Sequence, residues 1–245
     1  MKDLKNLEES IIDNQRSFKR LIRSITLSQG QFSLILVFCN YQCLQETIMM
    51  QLRDLSSVEI QEIVLPKTVK TLYTTIDKQL DEFPKPSALI IFDLEKVEAI
   101  DELLISTNQV RDEFRKKFNF PLVLWITDEL LAKLIKLAPD FKSWAAATIK
   151  FELAACDLIS LLKLEVENYW INEFSDEKQI IPLSTNNTIS TFLLYNCDVQ
   201  CNCSSFQGLG KNKRQEIELA LKDLKNLDQY LEPILKANIE LILGR

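Results

Sequence analysis

The sequence predicts an α/β fold, a three-layer αβα sandwich around a mainly parallel five-stranded sheet, with further helices at both ends. Three observations carry that expectation. Five short runs, Ser33–Cys39, Val58–Leu65, Ala88–Phe92, Pro121–Ile126 and Ala146–Phe151, are rich in apolar residues throughout, as strands covered on both faces are. Helical segments alternate with them, at Gln42–Leu55, Lys70–Phe83, Val97–Phe118 and Asp128–Ala138. Prolines stand at the seams, Pro66 after the second run, Pro84 and Pro86 before the third and Pro121 at the start of the fourth, where a missing N–H is tolerated. Right-handed crossovers between parallel strands then place helices on the sheet faces.

The elements follow in order. Leu4, Ile11, Phe18 and Ile25 recur every seven residues, with Leu7, Ile12, Leu21 and Ile22 beside them, so residues 3–27 form an amphipathic helix that docks on the next domain. Thr127 or Asp128 caps the helix carrying Leu130, Leu131, Leu134 and Ile135, and Pro139 stops it. A helix from Leu153 to Trp170 closes the domain. Residues 172–210 read as a polar linker or insertion in which only Thr188–Tyr195 looks strand-like. Lys213–Leu243 is helical again and is split at Pro233. The organisation expected is an N-terminal helix at 1–30, an α/β domain at 31–171, the linker at 172–210 and a helical segment at 211–245.

Composition narrows the function. Of 245 residues 47% are hydrophobic, which suffices for a packed core. The net charge of −6 argues against a nucleic-acid surface, and the basic cluster Lys211, Lys213 and Arg214 reads as a solvated helix start. Met1–Glu9 carries Asp3, Glu8 and Glu9 without an apolar run, and no stretch of about 18 apolar residues occurs, so a cytoplasmic location without a membrane span is expected. Histidine is absent, which removes the commonest general base and excludes Ser-His and Cys-His nucleophile pairs within this chain. Six cysteines without an export signal suggest free thiols.

The chain has only four glycines, Gly30, Gly208, Gly210 and Gly244. A phosphate-binding turn after the first strand needs glycines for close backbone approach and a lysine for charge, and Asn40 to Thr47 supplies neither. Elsewhere the third run ends in Asp93-Leu94-Glu95, which sets carboxylates at the carboxyl edge of a parallel sheet, where ligands bind. Cys39 and Cys43 read as core residues, and Cys197, Cys201 and Cys203 are weak metal candidates by their spacing. Trp125, Phe141 and Trp144 read as core and turn anchors, and Arg111 and Arg115 as a solvated face paired with Asp112 or Glu113.

Three segments carry a family resemblance: Thr107-Asn108-Gln109-Val110-Arg111-Asp112-Glu113-Phe114-Arg115, Phe120-Pro121-Leu122-Val123-Leu124-Trp125-Ile126-Thr127, and Leu137-Ala138-Pro139-Asp140-Phe141-Lys142-Ser143-Trp144. Together, over roughly residues 15–152, they resemble the NTPase-like α/β domain of prokaryotic STAND-type regulators, in particular of tetratricopeptide-repeat proteins common in cyanobacteria. The resemblance implies a switch or scaffold module, linked to repeat or effector domains and often degenerate at its nucleotide site. By position Asp93 matches the acidic end of the Walker B strand, Ile126-Thr127 the end of the sensor strand, and Asn40–Thr47 the Walker A place without its Gly-Lys-Ser/Thr. The expectation is therefore a pseudo-NTPase with no catalytic residues and no resident cofactor or metal. It would act through protein partners, with self-association through the terminal helices as one route. A nucleotide switch holding ATP and Mg²⁺ near Asp93, Glu95 and Thr127 is the alternative. Asp93, Thr127 and Lys150 also match the acceptor, threonine and lysine of receiver domains, which makes a pseudo-receiver a third reading. Sheet order separates them: 2-1-3-4-5 for a receiver, the first strand between the third and fourth for the P-loop kinship.

Overall fold

The computed structural model describes residues 2–56, 58–82, 86–173, 211–227 and 229–244. The strands are β1 Ser33–Phe38, β2 Ile60–Val64, β3 Ala88–Phe92, β4 Pro121–Ile126 and β5 Ala145–Lys150. The helices are α1 Lys2–Leu27, α2 Gln42–Leu55, α3 Leu72–Glu82, α4 Ile100–Gln109, α5 Arg111–Lys117, α6 Asp128–Leu137, α7 Pro139–Ser143, α8 Ala155–Glu173, α9 Lys211–Asn226 and α10 Pro233–Ile242. The chain forms two compact units, Asp13–Glu152 and Met1–Ile12 with Leu153–Arg245.

In the Asp13–Glu152 unit all five strands are parallel, in the order β2-β3-β4-β1-β5. Neither sequence-based expectation for the order holds. The first strand lies between the fourth and fifth, not between the third and fourth, and the receiver order is absent. β4 intervenes between β1 and β3, so the carboxyl ends of β1 and β3 stand about 10 Å apart at the usual strand spacing.

Burial follows this order. The inner strands β1, β3 and β4 are buried almost throughout, whereas β2 is half-buried and β5 alternates, because these two are the edges. One face packs Leu34, Leu36, Phe38, Leu89, Ile91, Leu122 and Leu124 against α3 to α7, through Leu72, Ile76, Leu103, Phe114, Leu134 and Phe141. Residues of the opposite parity, Ile35, Val37, Ile90, Val123, Trp125 and Ile149, are buried on the second face. That is the side to which the single backward crossover, β1 to β2, sends α2 with its buried Leu44, Ile48 and Leu52. Phe18, Leu21 and Ile25 of α1 are buried too, and Asn14 fastens that helix by donating to the Glu152 carbonyl (2.7 Å) and accepting from its N–H (3.1 Å).

Two helix boundaries depart from expectation. Val97–Phe118 is not one helix: a 3-10 turn at Leu94–Lys96 precedes α4, and the chain breaks at Val110 before α5. The Arg111 guanidinium donates to the Asn108 carbonyl at 2.8 Å, competing for an acceptor at the end of α4. Pro139 does end α6, but it also opens α7 from its first position, where its missing N–H is harmless.

In the second unit α9 and α10 pack on α8. The basic cluster here is not simply solvated. Lys213 donates to the buried Glu165 at 2.5 Å, and Arg214 donates to the Leu243 carbonyl at 2.8 Å, compensating the carboxyl end of α10. Lys211, like residues 172–210, lies outside the described side chains.

Candidate functional site

In an open parallel sheet, ligands lodge at the carboxyl edge where adjacent strands send their connections to opposite sides. Here that place lies between β1, whose chain turns back toward β2, and β4, whose chain crosses over to β5. The residues that follow these strands are Cys39–Thr47 and Thr127–Asp128.

The two lips of this crevice are tied together. Asn40 Oδ1 accepts from the Asp128 backbone N–H at 3.0 Å, and its Nδ2 donates to Asp128 Oδ2 at 2.8 Å. Thr127 Oγ1 accepts from the Leu130 N–H at 3.3 Å, so the first turn of α6 has two of its otherwise orphan donors satisfied by protein side chains. Cys39 N–H donates to the Ile126 carbonyl at 3.1 Å and continues the strand pairing to the rim. On the other lip Tyr41 stands at the start of α2 in extended geometry (φ −116°, ψ 123°) without a side-chain cap. Its carbonyl accepts from Gln45 N–H at 3.0 Å and from the Cys39 thiol at 3.3 Å.

Asp93 follows β3, one strand beyond β4, and is the only non-glycine with positive φ among the described residues (φ 61°, ψ 26°). Left-handed geometry is available to aspartate at modest cost. It folds the chain into the 3-10 turn and brings Lys96 Nζ to 2.9 Å from Asp93 Oδ2. Burial of its carboxyl group pushes Glu95 above the usual value, Asp93 pushes the same way, and the Glu95 backbone N–H and Lys96 oppose them. The Glu98 N–H donates to the Lys67 carbonyl at 2.9 Å, which pins this turn to the loop after β2.

The sequence-predicted residues therefore separate into two groups. Asp93 and Glu95 share one turn, with Lys96 as the partner of Asp93. Thr127, on the adjoining strand, serves as a helix cap. Lys150 ends β5, with β1 between it and β4, and pairs with Glu152, so the receiver-like trio is not assembled as a receiver requires. Cys197, Cys201 and Cys203 lie outside the described residues. Cys39 is buried and Cys43 half-buried, and neither is in a disulfide.

Asparagine clamps were not foreseen. Asn108 repeats the device of Asn40: its Oδ1 accepts from the Phe141 N–H at 2.9 Å, and its Nδ2 reaches Asp140 Oδ2 at 3.4 Å. Arg111 lies 3.7 Å from the same Asp140, in place of the expected pairing with Asp112 or Glu113. Two of the segments that carry the family resemblance are thus one structural junction between α4 and α7. Trp125 is packed between Phe92 (centroids 5.7 Å) and Phe151 (6.2 Å, rings at 3°), and its indole N–H is buried with no acceptor among the described residues. Asp77 Oδ1, which has no hydrogen bond of regular geometry, is ion-paired with Lys117.

At this edge the Asp128 carboxylate and backbone N–H are both engaged by Asn40, and Lys96 beside β3 is engaged by Asp93.

No protein-family model matches the chain, and no curated protein matches it. Among solved structures it is similar to the Aeropyrum pernix ORC2 protein, determined as ADPNP-ADP complexes, with a TM-score of 0.41 and 11% identity over 92% of this chain and 66% of that one. This chain thus spans just under two thirds of that chain's length. No helix among the described residues is long and apolar enough to cross a membrane.

Proposed function

We propose that the Asp13–Glu152 domain is a non-hydrolysing regulatory or scaffold module, a pseudo-NTPase of the STAND-like kind that acts in the cytoplasm through protein–protein contacts. The observation that carries this reading is the Asn40–Asp128 pair. The side chain that stands where a phosphate loop would begin is spent on capping α6. Three further features support it. Residues 40–47 contain no glycine and no lysine, the chain has no histidine, and Asp93 is neutralised by Lys96 within its own turn.

A nucleotide-gated switch is the second reading, favoured by the position of Asp93 and Glu95 at the carboxyl edge of β3 and by the left-handed backbone that holds Asp93 there. Calorimetric titration with ATP and ADP, with and without Mg²⁺, on wild type, Asp93→Ala and Asn40→Ala separates the two. No heat and no thermal shift at millimolar nucleotide is the expected result. Binding to wild type that weakens in Asp93→Ala overturns the pseudo-NTPase reading and makes the module a nucleotide switch.

A further inference from the structure

The outer face of α1 carries a basic stripe. Asn14, Phe18, Leu21 and Ile25 are buried on the inner side of this helix. At about 100° per residue, Arg16, Lys19, Arg20, Arg23 and Leu27 fall opposite them, within roughly 100° of the helix surface. All five are exposed, Leu27 at 66%. Arg16 pairs with Asp13 at 3.3 Å, whereas Lys19, Arg20 and Arg23 have no ion pair among the described residues.

The stripe is narrow and isolated. It runs about 10 Å from Arg16 to Arg23 at the rise of an α-helix, with Leu27 one turn further on. An exposed helix face usually mixes both signs so that each charge finds a neighbour of the other, yet past Asp13 this one holds cations alone. Residues 13–27 set four cations against one carboxylate, so the rest of a chain of net charge −6 carries −9.

That balance selects the occupant. Exposed charges act over about 8 Å at physiological ionic strength. A ligand confined to the stripe meets its cations, whereas an anionic bilayer or a nucleic-acid duplex reaches past it onto a surface of the opposite balance and is repelled there. A helix with carboxylates at every third or fourth position matches the stripe in width and axial spacing. Three of the four cations are arginines, whose planar fork donates two parallel hydrogen bonds to one carboxylate. Leu27 offers such a helix an apolar contact one turn beyond the last charge.

We propose that the Arg16–Leu27 face of α1 docks an acidic helical segment of a protein partner. The proposal rests on the reading of this domain as a protein-binding module and adds the chemistry of its partner. Each exposed ion pair contributes little, so the complex is weak, exchanging and salt-sensitive.

The test sets four probes against the full chain: a labelled helical peptide with glutamate at every third or fourth position and a terminal leucine, its glutamine counterpart, phosphatidylserine–phosphatidylcholine vesicles and a DNA duplex. Anisotropy reads the peptides and the duplex, and flotation reads the vesicles. The glutamate peptide is expected to bind wild type at low salt, and at least about fivefold more weakly to Arg20→Glu or Arg23→Glu. Lys136→Glu, the same change of charge at an exposed site on α6, is expected to stay within about twofold of wild type. All three substitutions are at exposed positions and are expected to leave the thermal melt unchanged. No binding of the glutamate peptide, equal binding of the glutamine peptide, an equal loss in Lys136→Glu, or tighter binding to vesicles or duplex overturns the proposal. Nucleotide is absent throughout, so failure here is distinct from failure of the pseudo-NTPase reading, which the ATP titration decides.

Discussion

Asn40 and Asp128, 88 positions apart, hold each other through two hydrogen bonds, one to a backbone N–H and one to a carboxylate. The pair ties the loop after β1 to the first turn of α6 across the place where this sheet would otherwise open to a ligand. It is a long-range cap: the acceptor that Thr127 provides locally for Leu130 is supplemented by one for Asp128 from the loop after β1.

Asp128 is exposed and Asn40 half-buried, which sets the size of the effect. Asn40→Ala is expected to lower unfolding free energy by about 1 kcal/mol, the usual worth of a helix cap. Asp128→Ala retains the capped backbone N–H and costs less. A double-mutant cycle read by urea denaturation is expected to give a coupling of roughly 0.5–1 kcal/mol. Strict additivity would mean that the crevice is not held by this pair.

Trp125 sets two opposing terms against each other. Truncation to alanine empties a site lined by Phe92 and Phe151 and is expected to cost about 3–5 kcal/mol. Phenylalanine keeps most of the ring and removes an N–H that has no acceptor, a group whose burial costs about 1–3 kcal/mol. Trp125→Phe is therefore expected to lose about 1 kcal/mol or less. A loss near 3 kcal/mol would show that the indole does find an acceptor.

The strands were legible because their cause is local. Runs such as Leu34-Ile35-Leu36-Val37-Phe38 are apolar on both faces, and the observed limits of β3 and β4 are the predicted ones. The alternation of β5 reflects its place at the sheet edge, which depends on strand order and is not encoded within Ala145–Lys150. The break at Val110 was hidden for a similar reason, since no glycine or proline marks it and Arg111 acts through the Asn108 carbonyl. Asp93 and Thr127 could be placed at strand ends from the sequence alone. The roles of Asn14, Asn40 and Asn108 could not, because each clamps a backbone group at least 33 residues away.

Glu95 predicts a pH dependence whose sign is fixed. Its carboxyl group titrates above its ordinary value of 4.5 in the folded chain, so the native state binds more protons than the unfolded state through that region. Stability therefore falls as pH rises through it. Glu95→Gln removes the ionisation, and the variant is expected to be more stable than wild type at pH 7, with the gap closing below pH 4.5. Although the carboxyl group is desolvated, much of the Glu95 side chain stays in contact with solvent, which screens the effect and keeps the gap small beside the total stability. Paired urea melts at the two pH values check it, and a gap that widens on acidification would reverse the sign.

Phe114 joins the resemblance-bearing segments to the core. It is fully buried, with ring centroids at 5.2 Å from Phe141, 5.3 Å from Tyr73, 5.7 Å from Phe118 and 6.4 Å from Phe32. Phe114→Ala is expected to cost about 3–5 kcal/mol, a large part of the 5–15 kcal/mol that roughly spans domain stabilities. Val64→Ala, at an exposed edge position, is expected to change stability by less than about 0.5 kcal/mol. The informative experiment is the cycle with Asn108→Ala. Asn108 fixes the backbone of Phe141, whose ring packs on Phe114, so the two losses are expected to be non-additive by about 0.5–1 kcal/mol. Non-additivity would identify the asparagine-arginine helix and the Pro-Asp-Phe turn as one packing unit and explain their joint presence by stability. Additive losses would mean that Asn108 acts only on the α7 cap.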